Sequence, residues 1–171
     1  MIRRILKAIS NRLINLKDNY EWDRQDYFCP GNKEKLEEYK DKHKGKTCYI
    51  IANGPSLKGF NFNLLRNEYT IGMNRIYLLE RQIEFKPTYL VCIDKKSQLL
   101  QFTNDYNKWP HTCFYCWSVR KKFNQSNNQI FIKVCFKRRF SKNPLQMQLG
   151  DGGSVTYACM QLAYYMGFNK V

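Results

Sequence analysis

The sequence predicts an α/β domain: a mostly parallel sheet with helices on both faces, preceded by an N-terminal amphipathic helix. Three observations carry that expectation. From Lys46 onward, short apolar runs alternate with helical or polar segments, the pattern of strand–helix units. Those runs are continuously apolar, as expected of parallel strands buried on both faces. Before them, Ile2, Ile5, Leu6, Ile9, Leu13 and Leu16 recur at helical spacing.

The elements follow in chain order. Residues 2–17 read as a helix whose remaining surface carries Arg3, Arg4, Lys7, Arg12 and Lys17. Such a basic amphipathic helix suits a membrane interface, or docking on the domain or a partner subunit. Residues 18–45 are charged and aromatic, broken at Cys29-Pro30-Gly31, and 32–46 read as a short solvated helix running into a turn. The expected division is therefore a helix and linker over 1–45 and a domain over 46–171.

Within the domain, 47–52 (TCYIIA), 69–74 (YTIGMN), 88–94 (TYLVCID) and 129–136 (QIFIKVCF) are the four expected strands. Residues 60–67 suit a short helical connection, 75–85 a helix, and 154–168 an amphipathic helix stopped by Gly167. Residues 121–129 read as a polar loop. The closing GFNKV resembles the start of another strand, so the sequence is expected to be part of a longer protein. The whole is Rossmann-like in plan.

Composition narrows the function classes. With 43% apolar and 15% aromatic residues in 171, the chain has material for a real core. No apolar run approaches the roughly 20 residues that span a bilayer, and the N-terminus has no signal-peptide pattern; a cytoplasmic location is expected, peripheral at the inner membrane face if residues 2–17 bind lipid. The formal charge is +15, and it sits mainly in the domain: residues 1–45 hold 11 Lys/Arg against 8 Asp/Glu, residues 46–171 hold 18 against 6. That excess implies an anionic partner: nucleotide phosphates, an acidic glycan, lipid headgroups or nucleic acid. Arg120, Lys121, Lys122, Lys133, Lys137, Arg138, Arg139 and Lys142 form a basic cluster around the fourth strand, read by default as a solvated face. Seven cysteines without a signal peptide argue against a disulfide framework. Cys113-Phe-Tyr-Cys116 has C-x-x-C spacing, but no second pair or His cluster completes a zinc site, so packing is expected.

Ligands of open α/β sheets bind beyond the carboxyl ends of the strands, and four polar signals lie there. In Asn53-Gly54-Pro55-Ser56, Gly54 permits close approach or positive φ, Pro55 fixes φ, Ser56 can cap the next segment and Asn53 offers donor and acceptor. Together they are either an anion- or nucleotide-cradling turn or a sharp corner. Asn74 is either a ligand contact or a helix N-cap. Asp94 can bind Mg²⁺ or a ribose hydroxyl, or order its loop. Gly152, Gly153 and Ser154, after Asp151, present backbone N–H groups at a helix start, where phosphate is favoured; the alternative is a flexible loop with a Ser cap.

Two blocks, KGKTCYIIANGPSLKGFNFNLLRNEYTIGMNRIYLL and GDGGSVTYACMQLAYYMGFNKV, resemble the MptE-like family, the 6-hydroxymethylpterin diphosphokinase-like domain. Bacterial members are often found with surface-polysaccharide genes. The N-G-P-S-L turn and a later strand-end Asn also occur in bacterial lipooligosaccharide sialyltransferases, which use CMP-sialic acid. Coverage is roughly 44–94 and 148–171. The resemblance implies that Asn53, Gly54, Pro55, Ser56 and Asn74 line a nucleotide site, with Gly153 and Ser154 approaching from the other side; Asp94 matches a strand-end acid less securely. The leading expectation is a sialyltransferase-like glycosyltransferase of surface-polysaccharide or lipooligosaccharide synthesis. It would join a CMP-sugar-like donor to a glycan acceptor, without a tightly bound cofactor or resident metal. One alternative is diphosphate transfer from ATP to 6-hydroxymethyl-pterin, which calls for Mg²⁺. The other is a non-catalytic basic binding module. Nucleic acid is not an expected partner, and a homo-oligomer is left open. No catalytic residue is assigned: the sialyltransferase His and Tyr follow the second block, which places them beyond Val171, and His43 and His111 match neither.

Overall fold

A computed structural model describes residues 1–79, 85–135 and 138–171. Among these, one parallel sheet runs in chain order through β1 (Cys48–Ile51), β2 (Tyr69–Met73), β3 (Tyr89–Cys92), β4 (Cys113–Cys116) and β5 (Gln129–Ile132). The helices are α1 (Ile2–Asp23), α2 (Gln25–Phe28), α3 (Asn32–Glu37), α4 (Thr103–Lys108) and α5 (Val155–Tyr165). This is the expected α/β, Rossmann-like arrangement. β2 to β5 are buried along almost their whole length, which explains why they read as unbroken apolar runs.

β1 is where the winding reverses. The chain steps from β1 through β5 in one direction, and α5 then returns it to the opposite side of β1. There Cys48 N–H donates to Lys170 O and Asn169 N–H donates to Lys46 O, both at 2.9 Å. Such a reversal marks the crevice where ligands of this architecture bind.

Strand register sorts the two faces. Ile71, Tyr89, Val91 and Phe114 share one. On that side Tyr39, just past α3, packs edge-on against Tyr89 and Phe114, and Tyr165 of α5 donates to Leu36 O at 3.1 Å. The other face carries Leu90, Cys92 and Tyr115, with Tyr106 of α4 and Phe123 against Tyr115. Helices therefore cover both faces.

Several elements differ from expectation. β4 is not among the predicted strands: its four residues, CFYC, contain no β-branched side chain, and their spacing predicts only packing. They pack as buried sheet core, paired to both β3 and β5. The strand expected over 129–136 stops at Ile132. Val134–Cys135 forms β6, which pairs with β7 (Leu149–Gly150) in a separate two-stranded sheet, and residue 136 lies outside the described residues. In place of a helix over 75–85 there is a 3₁₀ segment, Asn74–Leu78; residues 80–84 lie outside the described residues.

The segment before the sheet is held firmly where it meets the domain. In the stretch expected to be solvated, Asn32 and Leu36 are buried. The Asn32 amide serves both backbone groups of Phe131, donating to its carbonyl at 3.0 Å and accepting from its N–H at 2.8 Å, so it extends the edge of β5. The last turn of α1 is anchored by Glu21. This buried carboxylate pairs with Arg120 and, at 2.9 Å, with Lys121. Arg120 lies 3.8 Å over Trp117, which meets Trp22 edge-on at 5.1 Å. Burial alone would raise the Glu21 pKa, but hydrogen bonds from Lys121 and Arg120 outweigh it and hold the carboxyl below its usual range.

Candidate functional site at the carboxyl edge of the sheet

The predicted polar signals after β1 and β2 meet the start of α5. Asn53, two residues beyond β1, donates its side-chain N–H to Met73 O at 3.0 Å. Asn74 follows Met73 directly, and its Oδ1 accepts from Cys92 Sγ at 3.5 Å, reaching the end of β3. From the other side, Thr156 in the first turn of α5 places its hydroxyl 3.6 Å from Met73 Sδ. Met73 is thus the hub at which β1, β2 and α5 converge.

The backbone separates the roles of the residues. Asn74 sits at φ +50°, a conformation that L side chains avoid. It is not an N-cap; Met73 holds that position, without a side-chain cap. Gly54 has φ −78°, ψ 158°, so positive φ does not explain it, and a Cβ there would come no nearer than 3.4 Å to Ser56 Oγ. What its bareness leaves open is access to the turn. Ser56 does not cap: the 3₁₀ turn Pro55–Leu57 starts from Gly54, with Pro55 supplying the fixed φ and no side-chain cap. Asn53, Pro55 and Ser56 are exposed.

The second junction is more self-contained. Ser154 Oγ accepts from Thr156 N–H at 3.1 Å and so caps α5, while Asp151 Oδ1 accepts from Gly153 N–H at 3.4 Å. Gly152 and Gly153 have φ of +52° and +77°, and a Cβ on Gly152 would stand 2.5 Å from the Tyr157 ring. Conformation and packing account for Gly152. The first turn of α5 still presents its positive dipole end toward the strand ends.

Asp94 is occupied as a loop-ordering cap. Its Oδ1 accepts from Lys96 and Ser97 N–H at 3.1 and 3.0 Å, and its Oδ2 from the Ser97 hydroxyl, which starts the π turn Lys95–Leu99. Among the described residues no group of three His, Cys, Asp or Glu side chains could hold a metal ion. Cys113 and Cys116 stand three apart on a strand, so they face opposite sides of the sheet. Burial pushes the Cys113 thiol up to about 12 and raises that of Cys116, which makes both unreactive. His43 and His111 precede β1 and β4 at the amino-end edge, away from these junctions.

The same carboxyl edge holds a feature not legible in the sequence. A cleft of about 320 Å³ lies beyond β3, β4 and β5, lined by Lys95, Trp117, Ser118 and Lys133, and walled by Asp18 and Asn19 of α1. Its residues come from five separate stretches of chain. The predicted basic cluster is correspondingly dispersed: Arg120 is buried against Glu21, Lys133 is buried in the cleft, Arg138 and Arg139 are exposed, and Lys137 lies outside the described residues.

A family model described as 6-hydroxymethylpterin diphosphokinase MptE-like matches residues 28–171, a span that contains every junction above. No curated protein and no solved structure gives a significant match.

Proposed function

This chain belongs to the MptE-like family, and from that premise we propose that it is a nucleotide-dependent transferase working at the carboxyl ends of β1 and β2. The carrying observation is the convergence on Met73 of Asn53, Asn74 and the first turn of α5. In this reading the two Asn side chains hydrogen-bond the base or ribose. Gly54, Pro55 and Ser56 form the bare turn against which the nucleotide lies, and Gly152, Gly153 and Ser154 bring the positive end of α5 to its phosphate. Catalysis then consists mainly of positioning and of stabilising the departing phosphate.

For the transferred group we favour a sugar over diphosphate. The donor set supports this: Asp94 spends both oxygens on its own loop and Asp151 one on Gly153, so these two acids do not form a ready Mg²⁺ site. A CMP-sugar-like donor, a glycan acceptor and a role in surface-polysaccharide synthesis complete the reading. The rival is the reaction named by the family description, with ATP as donor and Mg²⁺ carried in on its phosphates. That reading would bring Asp94 and Asp151 into play as carboxylates. Among the described residues no helix is long and apolar enough to cross a membrane. Peripheral attachment through α1 at the inner face of the membrane fits a lipid-linked acceptor.

A thermal-shift panel of CMP, CDP, UDP, GDP, ATP and a pterin, each with and without Mg²⁺, tests both. Binding to the native state alone must raise the melting temperature. A metal-independent rise with a cytidine or uridine nucleotide supports sugar transfer, and a Mg²⁺-dependent rise with ATP supports diphosphate transfer. No rise with any nucleotide sinks the proposal.

A further inference from the structure

The cleft beneath α1 has a chemistry separate from the nucleotide junction. Lys133 follows β5, is 7% exposed and lines this cleft, yet its ammonium has no hydrogen bond or ion pair among the described residues. Trp117, 1% exposed, lines the same cleft, and its buried indole N–H has no acceptor among the described residues. Lys95 joins them from the loop after β3. A buried cation and a buried N–H donor are each costly when unsatisfied. Lys133 and Lys95 both line a cavity of about 320 Å³, large enough for a small ligand.

We propose that this cleft binds a phosphate-sized anionic group, free or carried on the second substrate, with Lys133 as its principal cation and Lys95 as its second. Among the described residues Lys95, Lys133 and Asp18 line the cleft, and Asp23 also acts on Lys133, so a hydroxyl beside the anion has an acceptor at hand. Burial lowers the Lys133 pKa, with Asp23 and then Asp18 opposing it only in part, and burial raises that of Asp18 against the pull of Lys95 and Arg120. Because α1 forms one wall, the ligand is covered by the helix that Glu21 fastens to Arg120. The inference stands without the nucleotide reading.

Titration of the full chain with inorganic phosphate and pyrophosphate, against sodium chloride at matched ionic strength, tests it by tryptophan fluorescence and thermal denaturation. Phosphate is expected to perturb the fluorescence and raise the melting temperature beyond the chloride control. Lys133→Met is expected to weaken phosphate binding about tenfold or more while leaving the melting temperature of the free protein unchanged or higher, since it removes a buried charge that Asp23 and Asp18 offset only in part. A merely structural lysine would give the opposite stability result. If Lys133→Met folds poorly, Lys133→Gln and Lys95→Met carry the same test. Unchanged phosphate affinity in those variants, or a phosphate effect equalled by chloride, overturns the proposal. Asn53→Ala is expected to keep the phosphate response, so a nucleotide response lost there alone leaves the cleft standing.

Discussion

Asn53 donates its side-chain N–H to the carbonyl of Met73 at 3.0 Å, which fastens the end of β1 to the residue just before Asn74. The bond fixes the spacing between two polar side chains that approach from adjacent strands. It also lets folding and binding be separated. Asn74 holds φ +50°, which costs a side chain about 1 kcal/mol and a glycine nothing. Asn74→Gly should therefore unfold in urea within about 0.5 kcal/mol of the natural chain yet lose its nucleotide-dependent thermal shift. Asn74→Ala should lose both the shift and about 1 kcal/mol. Full nucleotide binding by Asn74→Gly would remove this side chain from the site.

Gly54 and Gly152 make a matched pair of opposite type. At Gly54 the backbone is extended and the nearest atom to a new Cβ is 3.4 Å away, so Gly54→Ala should leave the melting temperature unchanged. If a ligand lies against that turn, the added methyl weakens its binding. At Gly152, φ is +52° and the Tyr157 ring stands 2.5 Å from the new Cβ. Gly152→Ala should destabilise the free protein by roughly 1–3 kcal/mol through strain and displacement of the ring. Thermal melts of the two variants with and without nucleotide check the contrast. Equal binding by Gly54→Ala would mean that its turn is only a corner.

The pattern of agreement follows from how local each signal is. β1, β2, β3 and α5 were readable because continuous apolar runs and turn residues are properties of neighbouring positions. β4 was not: CFYC is too short to show a period, and its C-x-x-C spacing reads as packing without saying that the packing is that of a strand. Asn32 looked solvated because its partner, the Phe131 backbone, lies 99 residues away. The same holds for the cleft, whose Asp18, Lys95, Ser118 and Lys133 share no motif. Lys133 was visible only as one charge in a basic run, since burial belongs to the assembled fold.

His43 gives the fold a dependence on acidity remote from the carboxyl edge. Its ring stacks on Phe168 at 4.6 Å, and its Nε2 lies 2.5 Å from the Tyr89 hydroxyl. Burial, then the Lys42 charge, lowers its pKa below 6.5. The unfolded chain then binds more protons in that window. The stability of neutral His43 is complete above about pH 6.5 and is lost as pH falls toward and through the folded value. Melting temperature should decline from pH 7 to pH 5, and His43→Phe should flatten that part of the profile. A decline unchanged in His43→Phe would assign it to other groups.

The N-terminal turns of α1 supply the most direct test of location. Ile2, Ile5, Leu6, Ile9 and Leu13 are each at least half exposed, and residues 1–17 carry five cations and no acid. An apolar stripe beside cations matches the interface of an anionic bilayer, where each cation contributes about 1 kcal/mol. Co-sedimentation with phosphatidylserine-containing vesicles should be strong at low salt and weaken as salt rises. Neutralisation of Arg3, Arg4 and Lys7 to Gln should reduce it by roughly two orders of magnitude. Ile5→Ser with Ile9→Ser should weaken binding even at low salt, because it removes the inserted apolar area rather than the attraction. The fold should survive both changes, since α1 is anchored by Glu21 and Trp22 at its other end. Vesicle binding indifferent to both sets of substitutions would leave the stripe for a protein surface instead.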